Sequence, residues 1–419
     1  MLTELLYYFL PYQIFKSVFF RGGLTYLTTY FMINIIMPYV IRLFRRRGIT
    51  SDFTTTDHTH GPYQGATPIM GGVVLIPSII LSILFWAWIN TYTVALILII
   101  LVYSIIGGID DFAKILHKRK VKRGLAQRKS YSDKADGIPG SVRLTLEIFF
   151  TLAIIGSLFW YNNSIDGHLH IPMIPMKTWF PELSAYLFIP FITLVIVGGA
   201  NAVNLTDGLD SLVTIPIMTC AVFIAAAAYI AGDVDWSNKL KILFISHEIK
   251  EVSIFAIAVF SACIAFLKFN SPPASIYMGD MGSLGLGAGI CTMFFFIKAE
   301  LYLPIVGWAF VVAALSAILQ RVWFKIALWK KGREWAQKNR MFYRAPYHHH
   351  KQMVFTYRES SPEIHSIWHQ VITRFGFGKI LDEDKFLTQE QVNNKVIWSN
   401  HLKSVFYLVV AIMIYFKVR

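Results

Sequence analysis

Carboxylates stand beside a lysine or a glycine at the ends of two apolar runs. Asp110 and Asp111 close one run, and Lys114 follows four and three residues later, so a continuing helix would place Lys114 over both carboxylates. Asp280 follows Gly279 and opens another run. Free amides at a helix start attract anions such as phosphate, and a carboxylate beside them suits a hard cation. The structural alternatives are a helix-end ion pair for the first cluster and an N-cap role for Asp280.

A second kind of cluster repeats polar side chains every three residues in the string NAVNLTDGLD. Asn201, Asn204, Asp207 and Asp210 supply its amides and carboxylates, and Gly208 permits a tight turn. Four such groups exceed what a well-capped loop between two helices requires. The string therefore predicts a polar binding site, with the capped loop as the alternative.

Three consecutive histidines, His348 to His350, follow Pro346. Neighbouring imidazoles cannot all face one way in a helix, which argues against a zinc cage built locally. We favour a loop that presents one or two imidazoles to a phosphate or a nucleotide, because imidazole donates hydrogen bonds and carries charge near neutral pH. A solvated, incidental histidine run is the alternative.

These clusters together describe a Mg²⁺ and polyphosphate site. Carboxylates come from three separated segments, with glycines beside them and many basic side chains elsewhere in the chain. Zinc is disfavoured, because the acidic residues outnumber suitably spaced cysteine and histidine ligands.

The composition indicates that these clusters sit on membrane helices. Of the 419 residues, 55% are hydrophobic and 15% are charged, whereas soluble domains have about 25% charged residues. Such hydrophobicity excludes disorder, and three cysteines within apolar runs exclude a disulfide scaffold. The net charge of +14 is typical of basic cytoplasmic loops and of anionic lipid or phosphate substrates, so we expect no nucleic acid partner.

A spanning helix needs about 20 mostly apolar residues. The fold class expected is an all-α polytopic membrane protein of one domain, residues 1–419, with about ten transmembrane helices. The candidate spans are roughly 24–44, 71–89, 92–109, 144–161, 184–200, 211–231, 252–268, 283–298, 303–328 and 402–417.

The distribution of basic residues predicts the orientation, because cytoplasmic loops are enriched in Lys and Arg. With both termini outside, in the periplasm, 30 of the 39 Lys and Arg fall on the inner side. All the polar clusters then lie on the cytoplasmic face, together with a long inner segment, 329–401, that contains an insert of unknown role.

The motifs and their order resemble the phospho-N-acetylmuramoyl-pentapeptide transferases, within the polyprenyl-phosphate phosphosugar transferase superfamily. The likeness runs from about residue 24 to 352 and over the last span. It rests on ATPIMGG at 66–72, on NAVNLTDGLD and on the triple histidine, which separates this family from related N-acetylglucosamine-1-phosphate transferases.

The resemblance implies roles for individual residues. Asp110, Asp111 and Asp280 match the acidic catalytic positions that use Mg²⁺, with Asp280 most directly on the metal, and Lys114 completes the acidic motif. Positions implied around the substrates are Asn204, Asp207, Gly208, Leu209, Asp210, Asn270 and Tyr277 for uridine and diphosphate, His348 and His349 for the nucleotide-sugar, and Lys122 or Lys129 for the lipid phosphate. Asn201 joins the substrate-binding set through the polar cluster described above.

The reaction implied is transfer of phospho-MurNAc-pentapeptide from UDP-MurNAc-pentapeptide to undecaprenyl phosphate, which gives lipid I and UMP for peptidoglycan synthesis. It implies the bacterial inner membrane as location and the bilayer as a partner. A homodimer is one assembly compatible with it, and the sequence does not determine the oligomeric state. The alternatives are a related polyprenyl-phosphate HexNAc-1-phosphate transferase, or an ion-coupled transporter, which would also contain intramembrane carboxylates.

The chain departs from the family pattern at several polar positions. Gln64 stands where a lysine is usual, Ala66 where a glycine is usual, and Ala313 where a glutamate is usual. Lys351 and Gln352 replace the acidic residue expected after the histidines. We expect these departures to alter diphosphate contacts without changing the reaction.

Overall fold

The computed structural model describes residues 2–9, 12–50, 67–124, 137–161, 167–174, 182–356, 365–374 and 388–417. Helices dominate these residues, and two short strands, β1 (Asn339–Arg340) and β2 (His365–Ser366), pair in parallel. The helices are α1 (Leu2–Phe9), α2 (Val18–Arg46), α3 (Gly72–Trp86), α4 (Thr91–Lys122), α5 (Gly140–Tyr161), α6 (Ala185–Thr206), α7 (Thr214–Ala231), α8 (Val234–Leu240), α9 (Lys250–Asn270), α10 (Gly279–Phe296), α11 (Leu303–Val306), α12 (Trp308–Lys331), α13 (Arg333–Lys338), α14 (Tyr347–Thr356), α15 (Ile367–Arg374) and α16 (Gln389–Lys417).

Nine helices of the described residues are long and apolar enough to cross a membrane, namely α2, α4, α5, α6, α7, α9, α10, α12 and α16. The span expected at 71–89 corresponds to α3, which is apolar but has 15 residues. At 1.5 Å per residue it is about 22 Å long, shorter than the roughly 30 Å of a hydrocarbon core. The all-helical membrane fold is therefore confirmed with nine candidate spans.

Helix α10 lies at the centre of the bundle. Its apolar window is 83% buried, against 17 to 67% for the other eight candidate spans of the described residues. Glycines make this burial achievable, since small residues let neighbouring helices approach closely. A Cβ on Gly287, for example, would lie 2.9 Å from the Cα of Ala200 on α6. The start of α10, which carries Asp280, is thereby held against its neighbours.

Two helices extend beyond the apolar runs that predicted them. Helix α4 continues through Asp110 and Asp111 to Lys122, so both carboxylates lie within the helix and not at its end. Helix α16 begins at Gln389 instead of near residue 402, because its polar first turns have partners on α14. One of these contacts joins the amides of Gln352 and Asn393 at 2.6 Å.

The triple histidine lies in the first turn of α14, not in a loop as the sequence suggested. Side chains of α12 hold the start of this helix. The backbone N–H of Tyr347 donates to Ser316 Oγ at 2.9 Å, and that of Phe342 donates to Gln320 Oε1 at 2.8 Å. The rings of His348 and His349 lie side by side, with centroids 4.3 Å apart, whereas the ring of His350 stacks on Tyr343.

Candidate functional site

Lys114 joins two carboxylates on different helices. Its Nζ lies 2.8 Å from Asp110 Oδ2, one helical turn back on α4, and 2.8 Å from Asp280 Oδ2 on α10. The two helices meet here because Gly107 has no side chain: a Cβ at this position would collide with the carbonyl oxygen of Asp280. The geometry confirms the predicted helical pairing for Asp110, whereas Asp111 takes a different partner.

Asp111 binds the start of α10. Its Oδ2 accepts a hydrogen bond from the backbone N–H of Met281 at 3.1 Å. Gly279 precedes that turn with φ +77°, a conformation that favours glycine, and a Cβ there would lie 2.8 Å from Asp111 Oδ2. Asp280 does not cap the helix, since the N-cap position is Met278; its carboxylate is turned towards Lys114 instead.

Arg143 at the start of α5 is a functional candidate that the sequence analysis missed. Its guanidinium lies 3.3 Å from Asp280 Oδ2 and 3.8 Å from Asp110 Oδ2. It also donates to Asn201 Oδ1 at 2.9 Å. Arg143 therefore connects the acidic cluster on α4 and α10 with the polar cluster at the end of α6.

Glu147, one turn further along α5, contacts both Arg143 and Asn201. Its side chain is fully buried, lies 3.4 Å from Arg143 Nε and accepts a hydrogen bond from Asn201 Nδ2 at 2.5 Å. An acidic residue inside an apolar span is a signal of function that could have been read from the sequence. Arg143 carries no comparable signal, because a basic residue at the inner end of a span is typical of any cytoplasmic loop.

Asn204 and Asp207 lie over the start of α10. Asn204 Oδ1 accepts a hydrogen bond from Ser283 Oγ at 3.1 Å. Asp207, which caps the end of α6, is half-buried. Desolvation and the negative charges of Asp280, Asp111 and Asp210 raise the pKa of Asp207 to about 8. Such a concentration of negative charge favours a bound cation.

Gly208 lies directly under the histidines of α14. A Cβ at Gly208 would lie 2.6 Å from His348 Nε2 and 3.3 Å from His349 Nε2. His349 Nδ1 is 2.7 Å from Gln352 Oε1, which orients its ring. The structure thus brings the triple histidine against the NAVNLTDGLD loop, although nearly 140 residues separate them in the chain.

His350 faces away from this contact. It accepts a hydrogen bond from the backbone N–H of Tyr343 at 3.2 Å, and its ring stacks on that of Tyr343. Burial lowers the pKa of His350 to about 3. The third histidine is therefore a neutral structural residue, and only His348 and His349 lie against the loop.

Asn270, Asp210 and Tyr277 support the loop from underneath. Asn270 Oδ1 accepts from the backbone N–H of Ser211 at 2.9 Å, and its Nδ2 donates to the carbonyl of Ile276 at 3.0 Å. Asp210 Oδ2 accepts from the N–H of Ala274 at 2.9 Å. Burial and the charge of Asp210 raise the pKa of Tyr277, which therefore stays protonated.

One predicted position, Leu209, is not gathered into this cluster, and two others cannot be placed because their side chains lie outside the described residues. The side chain of Leu209 packs with Leu212, Val396 and Ile397, away from the carboxylates. Lys122 ends α4, but its side chain and the whole of Lys129 lie outside the described residues, as does Gln64. Their expected contacts with phosphate groups stay predictions.

The donor set at the meeting of α4 and α10 fits Mg²⁺ by its chemistry, because carboxylate oxygens are the ligands this ion prefers. No three acidic, histidine or cysteine side chains of the described residues converge closely enough to hold a metal ion by themselves. Mg²⁺ is commonly held by one or two carboxylates together with waters and substrate phosphates. The arrangement therefore suits an ion that is completed by a bound diphosphate.

Comparison with known proteins defines the class. Residues 93–298, which include nearly all of α4 and the whole of α6 and α10, match the family described as glycosyl transferase family 4. This match contains Asp110, Asp111, Lys114, the NAVNLTDGLD loop and Asp280.

Curated relatives narrow the class further. The chain is 33% identical to the phospho-N-acetylmuramoyl-pentapeptide-transferase of Gemmatimonas aurantiaca over 82% of this chain and 88% of the relative. It is 35% identical to that of Thermodesulfovibrio yellowstonii over 84% and 92%, and 32% identical to that of Aquifex aeolicus over 83% and 89%. The chain belongs to the phospho-N-acetylmuramoyl-pentapeptide-transferase family. With its nine candidate spans, it is a multi-pass protein of the bacterial inner membrane.

Proposed function

We propose that this chain transfers phospho-MurNAc-pentapeptide from UDP-MurNAc-pentapeptide to undecaprenyl phosphate, with release of UMP, in peptidoglycan synthesis. The observation that carries the proposal is the bridge from Asp110 through Lys114 to Asp280. This bridge lies beside the NAVNLTDGLD loop, which contacts His348 and His349. Both features occur in a chain that belongs to this transferase family. The donor is proposed from the names of the relatives, and the lipid acceptor from the motif resemblance.

The topology proposed has ten spans, with α3 as the short second span, both termini in the periplasm and the site on the cytoplasmic face. The number of basic residues supports it, since the segments 112–143 and 321–403 alone contain 25 of the 39 Lys and Arg. Single cysteines at Lys120 and at Met173, both exposed, should react with a membrane-impermeant reagent from opposite sides. Labelling of both from one side would refute the topology.

Asp280, with Asp110 and Asp111 beside it, would hold Mg²⁺ together with the diphosphate of the substrate. When bound, the ion supplies charge neutralisation at the bridging phosphates and at the departing UMP. Lys114 and Arg143 hold the carboxylates in place and add positive charge on the same side. In the absence of substrate these cations also offset part of the repulsion between the carboxylates.

The chain does not need a strong base to activate the acceptor. The second pKa of a phosphate monoester is about 6, so a lipid phosphate is mostly dianionic at neutral pH. Asp110 is engaged by Lys114 and accepts a hydrogen bond from the backbone N–H of Ile138 at 2.7 Å. These contacts favour a role for Asp110 in positioning over one as a covalent nucleophile.

The loop around Asp207 and Gly208, covered by His348 and His349, is the proposed site for uridine and sugar. Imidazole N–H groups and loop amides are suitable donors to a nucleotide-sugar. Asn270 and Tyr277 contribute indirectly, because their hydrogen bonds hold the loop in position.

Product analysis tests the function. Purified protein is incubated with UDP-MurNAc-pentapeptide and undecaprenyl phosphate, with Mg²⁺ or with a chelator. Equal amounts of UMP and a lipid-linked diphosphate sugar are expected with Mg²⁺, and neither with the chelator. A lipid product from UDP-N-acetylglucosamine but none from UDP-MurNAc-pentapeptide would assign the chain to the alternative transferase reaction, and transport without products would identify a carrier.

A further inference from the structure

A small cavity lies between α12, α14 and α16, and His348 forms part of its wall. Its volume is about 30 Å³, and its walls include Thr206, Ala313, Tyr347, Lys351 and Asn400. That volume has room for roughly two water molecules. The cavity can therefore admit the oxygen atoms of a small polar group while the rest of the group stays at the mouth.

Two lysines from different helices meet beside this cavity, and Lys351 is the one that lines its wall. Lys351 on α14 donates to Ser399 Oγ on α16 at 3.3 Å, and the side-chain amine of Lys403 lies within hydrogen-bonding reach of Lys351. Lys351 also lies over the ring of Tyr347, 5.5 Å from its centroid. The wall also contains the polar side chains of Thr206, His348 and Asn400. The side-chain amide of Asn400 donates to the carbonyl of Leu212.

Nothing acidic balances this pair in the part of the chain that the structure describes. No carboxylate of the described residues forms an ion pair with Lys351 or Lys403, and Ala313 contributes only a methyl group to the wall. Burial and the neighbouring Lys403 lower the pKa of Lys351 to about 7. Two adjacent amines of this kind are stabilised when an anion enters between them.

We propose that Lys351, Lys403, Ser399 and Asn400 form a binding site for the phosphate of an anionic lipid headgroup. Lys403 is exposed on a candidate membrane-spanning helix, between Leu402, 67% exposed, and Phe406, 62% exposed. An acyl chain can lie along these apolar side chains while its phosphate reaches the amines. Basic pockets between membrane helices commonly bind anionic headgroups in this way.

The cavity shares His348 with the proposed substrate site, but binding of a lipid headgroup by the lysines does not require the proposed reaction. Phosphatidylglycerol, an anionic lipid that is not a substrate, should bind to it. The site and the reaction can therefore fail independently of each other.

The test is lysine acylation of the full-length protein in nanodiscs, followed by peptide mass spectrometry. Only a neutral amine reacts, so Lys351 should react readily at pH 7 in phosphatidylcholine alone. An equal mixture of phosphatidylglycerol and phosphatidylcholine should slow this reaction. If the bound anion raises the pKa of Lys351 by one unit, the rate at pH 7 should fall roughly fivefold, because a smaller fraction of the amine is neutral. Lys330, which is exposed on α12, is the control: its acylation rate reports any general effect of the charged membrane surface.

Inorganic phosphate added to phosphatidylcholine nanodiscs distinguishes the source of the anion. Protection by phosphatidylglycerol and not by phosphate supports the proposal. Equal protection by free phosphate at the same concentration would overturn the lipid assignment, and a fall at Lys351 no larger than at Lys330 would overturn the site.

Variants give a second measurement that does not depend on labelling. Phosphatidylglycerol should raise the melting temperature of the wild type and of Lys330→Gln, and should raise that of Lys351→Gln and Lys403→Gln much less. An equal rise in all four proteins would contradict the proposal. The wild-type labelling experiment decides the question if a cavity variant fails to fold.

Discussion

Lys114 Nζ lies 2.8 Å from Asp280 Oδ2, so a side chain of α4 is tied directly to the first turn of the most buried described span, α10. The same amine contacts Asp110 at 2.8 Å on its own helix. This pairing fixes the distance between two acidic motifs that are 170 residues apart in the chain.

Lys114→Met should abolish most of the transferase activity while the protein stays folded. The substitution removes a positioned cation from a site that handles phosphate charge, and loss of one such donor commonly costs about 10²–10³ in rate. Lys120→Met, an exposed change on the same helix, is the matched control. Steady-state kinetics with both variants check this, and wild-type kcat in Lys114→Met would show that the amine is dispensable.

Gly107→Ala should destabilise the protein and inactivate it. The added Cβ collides with the backbone of Asp280, which cannot rotate away, and overpacking of this kind costs about 1–3 kcal/mol. The adjacent substitution Gly108→Ala is the control, because its Cβ would lie 3.6 Å from Met281 Sδ in ordinary contact. Melting temperature and turnover are measured for both, and equal behaviour of the two would refute the close crossing of α4 and α10.

Arg143→Lys should lower kcat by about ten- to a hundredfold with little change in melting temperature. A lysine retains the charge but cannot reach Asn201, Glu147 and Asp280 together, since it lacks the planar fork of the guanidinium. Arg42→Lys, on an exposed part of α2, serves as the control. An unchanged kcat in Arg143→Lys would show that the positive charge of Arg143 is sufficient and that its contacts with Asn201, Glu147 and Asp280 are not required.

The pairing of Lys114 with Asp110 could be predicted from the sequence because its geometry is local, whereas the contact with Asp280 depends on helix packing. A spacing of four residues places Lys114 beside Asp110 in any helix, and the polar period of NAVNLTDGLD marks its loop. Arg143 and Glu147 were missed because their partners lie on other helices, and only packing against α4 and α6 reveals them. The extension of α16 was missed for a similar reason, since its polar first turns are held by α14 and not by apolar sequence. Leu209 lies within a conspicuous motif, yet it packs against α16.

Protonation of His350 should make the protein less stable in acid. Its pKa is about 3 in the folded protein and about 6.5 when unfolded, so acid protonates the unfolded state first. The stability is complete above the unfolded pKa and falls as the pH drops below it, by about 2 kcal/mol near pH 5. His350→Asn retains an acceptor for Tyr343 without titrating, so its melting temperature should fall less between about pH 7.5 and pH 5. A wild-type slope in that variant would exclude His350 as the source.

Asp280→Asn should eliminate turnover and leave binding of the uridine nucleotide largely intact. The amide retains the shape of the side chain but loses the charge that attracts a hard divalent ion. Nucleotide contacts are proposed for the loop around Asp207 and Gly208 and not for Asp280 itself. Calorimetric titration with UMP and a turnover assay measure the two properties, and normal turnover at ordinary Mg²⁺ would remove Asp280 from the metal site.

The most direct measurement follows the phosphate next to the sugar. UDP-MurNAc-pentapeptide carrying a radiolabel only at that phosphate is incubated with the purified protein, Mg²⁺ and undecaprenyl phosphate. Our account predicts that the label passes into the lipid fraction together with the sugar, while unlabelled UMP is released in equal amount. Label that stays in the nucleotide, or that appears as a water-soluble sugar phosphate, would contradict transfer of a phosphosugar to the lipid.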